Sequence, residues 1–192
     1  MSYSIIQPPF TLNFDKMSKR DLSLYYHWFL EVIPQRVNEL SRAVAQSPGF
    51  ESWDADYSAS SLDLLGQWMA DQVEMRQRTK GELNIIYNHF SFPFEVPNEE
   101  LTNKTFSLAF DVGIYFSQVL LKNSLSLKWI QQFGTKKSVD YGQPVLVGFG
   151  KTSLNPTQIM VTLAYGLTSK KRTGKRLREL YDYWTKQISP LK

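Results

Sequence analysis

From Phe106 to Leu121 nearly every position is apolar or aromatic, and Asp111 is the only charge. A helix apolar on all its faces belongs inside a protein or a membrane. This run is too short, and too interrupted by Asp111, Ser117 and Gln118, to span lipid. It predicts a core helix from near Glu99 to Lys122. Gly113 costs that helix about 1 kcal/mol relative to alanine, which points to another helix crossing closely there. Upstream, Leu22, Tyr25, Phe29, Ile33, Val37, Leu40 and Val44 recur every three or four residues and predict a first helix ending about Ala45. Ser18 and Asp21 form its capping pair, and Pro34 predicts a kink near Leu30 or a break into two pieces.

A second helix starts at Ser58 or Ser60, with Leu62, Leu65, Trp68, Met69 and Val73 on one side. Asp63, Asp71, Glu74, Arg76 and Arg78 fall mostly on the other, and Glu74 and Arg78 stand four apart as a helical pair. Lys80-Gly81 closes it, or Leu83 to Tyr87 extends it. Residues 1–17 read as a Pro-rich arm or edge strand that packs Phe10, Leu12 and Phe14 on the body. Glu51 to Tyr57 reads as a loop anchored by Trp53 and Tyr57, and Phe90 to Pro97 as an ordered aromatic loop. Alternation over Leu125–Ile130 and the β-rich run Pro144–Phe149 predict a small antiparallel sheet within 125–150. Asn155-Pro156 opens a helix carrying Ile159, Met160, Leu163 and Leu167. The last helix, about Thr173 to Ile188, lies within a basic C-terminal stretch, 170–192. The fold class is α+β and mainly helical, with about five helices around a central apolar one, in a single domain over 1–192.

With 192 residues, 42% of them hydrophobic, the chain can fill a sizeable core. There is no cysteine, hence no disulfide framework, thiolate nucleophile or thiolate metal ligand. The N-terminus has neither the basic segment nor the apolar stretch of a signal peptide, so a cytoplasmic location is expected. A net charge of +4 does not by itself imply a nucleic-acid partner. Its distribution is more informative: six positive charges and no negative one fall within Lys170–Arg178, leaving the rest of the chain at −2.

That cluster can neutralise several phosphates, yet it has no recognition-helix pattern and no interleaved aromatic platform. Its composition also serves a solvated linker or a docking surface for an acidic protein, while anionic lipid is disfavoured by the lack of an exposed apolar wedge. Asp111 must be neutralised, hydrogen-bonded or directed into a cleft, because an unpaired interior carboxylate costs several kcal/mol. Arg36 or Lys104 would satisfy it. A second titratable group beside it in a deep pocket would instead mark an enzyme. The histidines His27 and His89 show no ligand spacing, so no metal or other cofactor is expected. Val145–Thr152 has a strand feeding Gly150-Lys151-Thr152, but the phosphate-loop pattern needs glycine where Val145 stands. Glu51, Asp54 and Asp56 form an acidic stretch suited to a basic partner.

Trp28-Phe29, Ile33-Pro34, Asp111–Val119, Leu127-Lys128-Trp129 and Gln143–Leu146 together resemble small bacterial proteins of uncharacterised function, some of them immunity-like proteins of toxin systems. The resemblance implies a non-enzymatic protein that blocks or holds a protein partner, and it supplies no catalytic residue. The expected contacts are Trp53, Asp54 and Asp56, the aromatic Phe92, and the basic Lys171, Arg172, Lys175 and Arg176, with Trp53, Phe92 and Arg176 as anchors. Arg36 and Asp111 are the expected buried polar pair. A nucleic-acid accessory role through 170–178 is the alternative, no membrane span is expected, and the pattern specifies no oligomeric state.

Overall fold

The computed structural model describes residues 3–89 and 95–189, and within them the chain is α+β and mainly helical. The arm leads into α1 (Lys19–Ala45), then α2 (Ser61–Gln72), β1 (Met75–Gln77), α3 (Lys80–His89), β2 (Glu99–Leu101) and α4 (Asn103–Asn123). A three-stranded unit follows, β3 (Lys128–Gln131), β4 (Pro144–Phe149) and β5 (Thr152–Leu154), and the chain ends in α5 (Pro156–Thr168) and α6 (Lys175–Thr185). No helix among the described residues is long and apolar enough to cross a membrane.

α4 is the centre. Its buried residues, Leu108, Val112, Ile114, Tyr115, Phe116 and Val119 among them, lie on every face, because α1, α2, α5 and α6 all pack against it. The core helix starts later than expected: Thr102 accepts the Thr105 backbone N–H at 3.1 Å as its cap, and Glu99–Leu101 is strand. α1 runs unbroken through Pro34. Phe29 before the proline and Val37 and Leu40 after it enter the same core, so packing holds one helix across the lost hydrogen bond.

α2 ends at Gln72, several residues earlier than its charge pattern suggested. Val73 turns extended, the Glu74 N–H donates to Thr105 Oγ1 at 2.9 Å, and β1 pairs antiparallel with β2. The expected Glu74–Arg78 helical pair is therefore replaced by a cross-strand cluster. Arg78 meets Glu100 at 2.6 Å, and Arg76 bridges Glu82 and Glu100. Charges placed across a strand pair satisfy one another as well as charges one helical turn apart, and three-residue strands leave no alternation to read.

The sheet expected in 125–150 forms as β3-β4-β5, with Trp129 opposite Leu146. Its third strand, β5, is reached through Gly150 at φ +69°, a conformation that glycine adopts without strain. Asn155 caps α5 as expected, accepting the Gln158 N–H at 3.2 Å. Two glycines then set the helix crossings. A Cβ on Gly66 of α2 would stand 2.1 Å from the Gly174 carbonyl oxygen, so the start of α6 lies directly on α2. A Cβ on Gly113 would lie 2.8 Å from Thr157 Cα and 2.9 Å from the Pro156 oxygen, which is the close helix crossing that glycine signalled.

Gly113→Ala tests this crossing because two effects oppose each other. Helix propensity favours alanine by about 1 kcal/mol, whereas forcing a methyl against immovable backbone costs about 1–3 kcal/mol. Urea unfolding should therefore show a net loss of up to about 2 kcal/mol. A gain in stability would mean that α5 does not approach α4 at this point.

Candidate functional site

Asp111 lies one helical turn beyond Ser107 on α4, facing the arm and α1. Both of its carboxylate oxygens accept from Arg36: Nε reaches Oδ1 at 2.7 Å and Nη2 reaches Oδ2 at 2.7 Å. Arg36 projects from α1 and is itself buried. The Tyr3 hydroxyl donates to Oδ2 at 2.5 Å. With its single proton committed there, that hydroxyl accepts from Arg36 Nη2 at 3.0 Å and from the Ser107 hydroxyl at 2.8 Å. Ser107 Oγ in turn accepts the Ile6 backbone N–H at 2.8 Å, and Arg36 Nη2 also donates to the Ser4 carbonyl at 2.9 Å. Of the two partners foreseen for Asp111, Arg36 is the one used.

Burial lifts the Asp111 carboxyl from 3.8 to about 6, against the pull of the Arg36 and Tyr3 bonds. Burial and the neighbouring carboxylate raise the Tyr3 phenol as well, so it remains a donor. With Arg36 Nη2 sharing its two hydrogens among Asp111, Tyr3 and Ser4, the cluster ties three segments, the arm, α1 and α4, together. A second carboxylate, Glu39, stands at its edge, where it accepts the Ser4 N–H at 2.6 Å, and its charge adds to the rise of the Asp111 carboxyl.

The acidic loop serves a local purpose. The Glu51 carboxylate accepts the Gly49 N–H at 3.0 Å, and Asp56 accepts the Ser58 N–H at 2.8 Å, a bond that lowers the Asp56 carboxyl. Asp54 is exposed. Trp53 is a correction to its expected place at the surface. Only 5% of it is exposed, its indole N–H donates to the Ser61 carbonyl at 2.9 Å, and its ring meets Tyr115 edge-on at 5.3 Å. It anchors the loop, as the sequence also suggested, and cannot serve at the same time as a contact residue. Phe92 lies outside the described residues.

The basic residues divide into two sets. Arg176 pairs with Glu179 at 3.0 Å, and Arg178 pairs with Asp182 at 3.0 Å and with Asp63 of α2 at 3.3 Å. Among the described residues, Lys170, Lys171, Arg172 and Lys175 make no ion pair. Lys170, Lys171 and Arg172 sit on the turn between α5 and α6, and Lys175 opens α6; backbone bonds fix the turn, Ser169 to Tyr165, Lys170 to Leu167 and Arg172 to Gly166, at 3.0–3.2 Å. Beside this turn a concavity of about 700 Å³ opens, lined by Ile159, Leu163 and Leu180 and by Lys171, Arg172 and Arg176.

Comparison with protein-family models, curated proteins and solved structures finds no match for this chain. The functional reading rests on the site itself. A further concavity of about 710 Å³ between the arm, α4 and α5 is lined by Ile5, Leu12, Phe14, Phe106 and Phe110, with no charged side chain. His27 stands apart from all of these, with Nδ1 2.7 Å from the Ser23 carbonyl on an exposed face of α1. Sequence reasoning missed Tyr3. The available signal was the interior carboxylate's need for a further donor, with a tyrosine in an arm expected to pack on the body.

The raised Asp111 carboxyl gives a signed expectation. The folded chain holds a proton that the unfolded chain has released, so this group's contribution to stability is fully present below about 3.8 and is lost as pH rises through about 6. Carbon-13 NMR of the Asp111 carboxyl should show a midpoint near 6. A midpoint below 3.8 would mean that pairing with Arg36 outweighs burial.

Proposed function

We propose that the chain is a non-enzymatic protein-binding protein of the cytoplasm, an immunity-like inhibitor that holds an acidic protein partner at the turn between α5 and α6. One observation carries this reading: four cations, Lys170, Lys171 and Arg172 on a well-bonded turn and Lys175 at the start of α6, have no ion-pair partners among the described residues. An unneutralised patch speeds encounter with an opposite one. The closed state of Asp111 supports the non-enzymatic part of the reading. Non-specific nucleic-acid binding is less well supported, because the carboxylates of Glu179, Asp182 and Asp63 stand beside Arg176 and Arg178. Those carboxylates make the face mixed in sign, which opposes a phosphate backbone.

The test is recovery of partners from native cytosol on the immobilised chain, identified by mass spectrometry, in parallel with the variant Lys170→Glu, Lys171→Glu, Arg172→Glu, Lys175→Glu. The same acidic protein should be retained by the original chain and depleted about tenfold on the variant, equivalent to about 1.4 kcal/mol. Equal retention on both would overturn the reading. So would binding to unrelated duplexes at about 0.05 M salt that weakens steeply as salt is raised.

A further inference from the structure

Resting on that reading, we infer that the groove between α5 and α6 receives an acidic peptide segment of the partner, with one apolar side chain on the half-buried Ile159 and Leu180 and carboxylates on Lys171, Arg172 and Arg176. Ile159, Leu163 and Gly166 follow one another along one side of α5, a span of about 10 Å at 1.5 Å per residue. The groove is graded along that span. Its end near Ile159 and Leu180 is aliphatic and half-buried, and its end at the turn is cationic.

The cationic end is shaped by the chain. A Cβ on Gly166 would lie 2.8 Å from Arg172 Cγ, so the missing side chain is what lets the Arg172 stem lie across α5. The Arg172 N–H to Gly166 carbonyl bond of 3.0 Å holds that placement, and Lys170 takes a left-handed φ of +56° to make the turn. A non-glycine residue held at positive φ costs free energy that the surrounding bonds must offset, and here the result is a forward placement of Lys171 and Arg172. Arg176 adds a guanidinium whose present partner, Glu179, is 57% exposed. A surface pair of that kind is weak and is readily exchanged for a better-placed carboxylate, which a guanidinium can grip with two parallel bonds.

Both ends of the groove restrict the occupant. A phosphate backbone satisfies the cations but has nothing to place on Ile159 and Leu180. A neutral apolar peptide fills the floor and leaves the cations unused. A segment with an apolar side chain and adjacent carboxylates uses both, in the arrangement of an apolar anchor with a charged rim that concentrates binding energy in protein interfaces.

The probe is a fluorescein-labelled peptide of about twelve residues with a central Leu-Phe pair flanked by glutamates, titrated with the full chain and followed by anisotropy and by amide chemical-shift mapping. Saturable binding is expected, with shifts confined to the α5–α6 groove. Lys171→Glu with Arg172→Glu should weaken it about tenfold, and Ile159→Ser with Leu180→Ser at least about threefold. The mapping uses the unaltered chain, so it stands even if a variant folds poorly. Absence of binding, shifts elsewhere, or equal affinity for the peptide with lysines in place of glutamates would overturn the inference. Self-association of the chain through the same residues, or a duplex that displaces the peptide from them, would also overturn it. Binding that depends on the cations but ignores Ile159 and Leu180 would remove the groove while leaving the acidic-partner reading intact, whereas charge-independent partner capture would remove that reading.

Discussion

A carboxylate at the centre of an apolar helix dictates much of this molecule. Moving an ionised group out of water costs several kcal/mol unless it is paired and its remaining lone pairs are filled. Asp111 is not exposed at all, so its neighbours are under obligation. Arg36 must come from α1 with both nitrogens aligned, and Tyr3 must come from the arm to fill the remaining oxygen lone pair. Ser107 then completes the phenol and receives the Ile6 N–H. Apolar contacts alone would allow α1 and the arm to slide on α4. A bidentate pair with a shared hydroxyl fixes one register.

The same closure separates structure from recognition. With the interior charge matched, Lys170, Lys171, Arg172 and Lys175 at the periphery are left without ion-pair partners among the described residues, on the turn between α5 and α6 and at the start of α6. That turn is placed by the interior as well. Gly113 lets the start of α5 approach α4, and Gly66 lets the start of α6 approach α2. The two helices that flank the basic groove are thus set by contacts between backbones, with little freedom to shift. A surface mounted in this way presents its cations from one backbone arrangement.

Much of the core was legible in the chain. The dense apolar run with a single carboxylate required that Asp111 be neutralised, hydrogen-bonded or directed into a cleft, and Arg36 was one of two cations named to satisfy it. Gly113 marked a close approach, and Asn155-Pro156 marked a helix start, because each is a local chemical requirement that few other residues meet. The β1–β2 pair was not legible. Its strands are three residues long, and Glu74 and Arg78 stand four apart as on a helix, whereas Glu100, which Arg76 and Arg78 meet, lies far along the chain. Gly66 gave no local cue, since its partner Gly174 lies far along the chain. On the surface, the basic segment was visible as a cluster, but its division into paired and unpaired cations depended on where Asp63 and Asp182 stand in space. Trp53 illustrates the opposite error: a large aromatic in a polar loop reads as an exposed anchor until the fold turns it against Tyr115.

The most direct measurement is a double-mutant cycle on Arg36→Met and Asp111→Asn, read by chemical unfolding at neutral pH. If the pair holds α1 and the arm in register on α4, each single change leaves a buried group without its partner, and the double change recovers a coupling of about 2 kcal/mol or more. Effects that add to within about 0.5 kcal/mol would show that the two side chains do not depend on each other, and would contradict the central place given to Asp111.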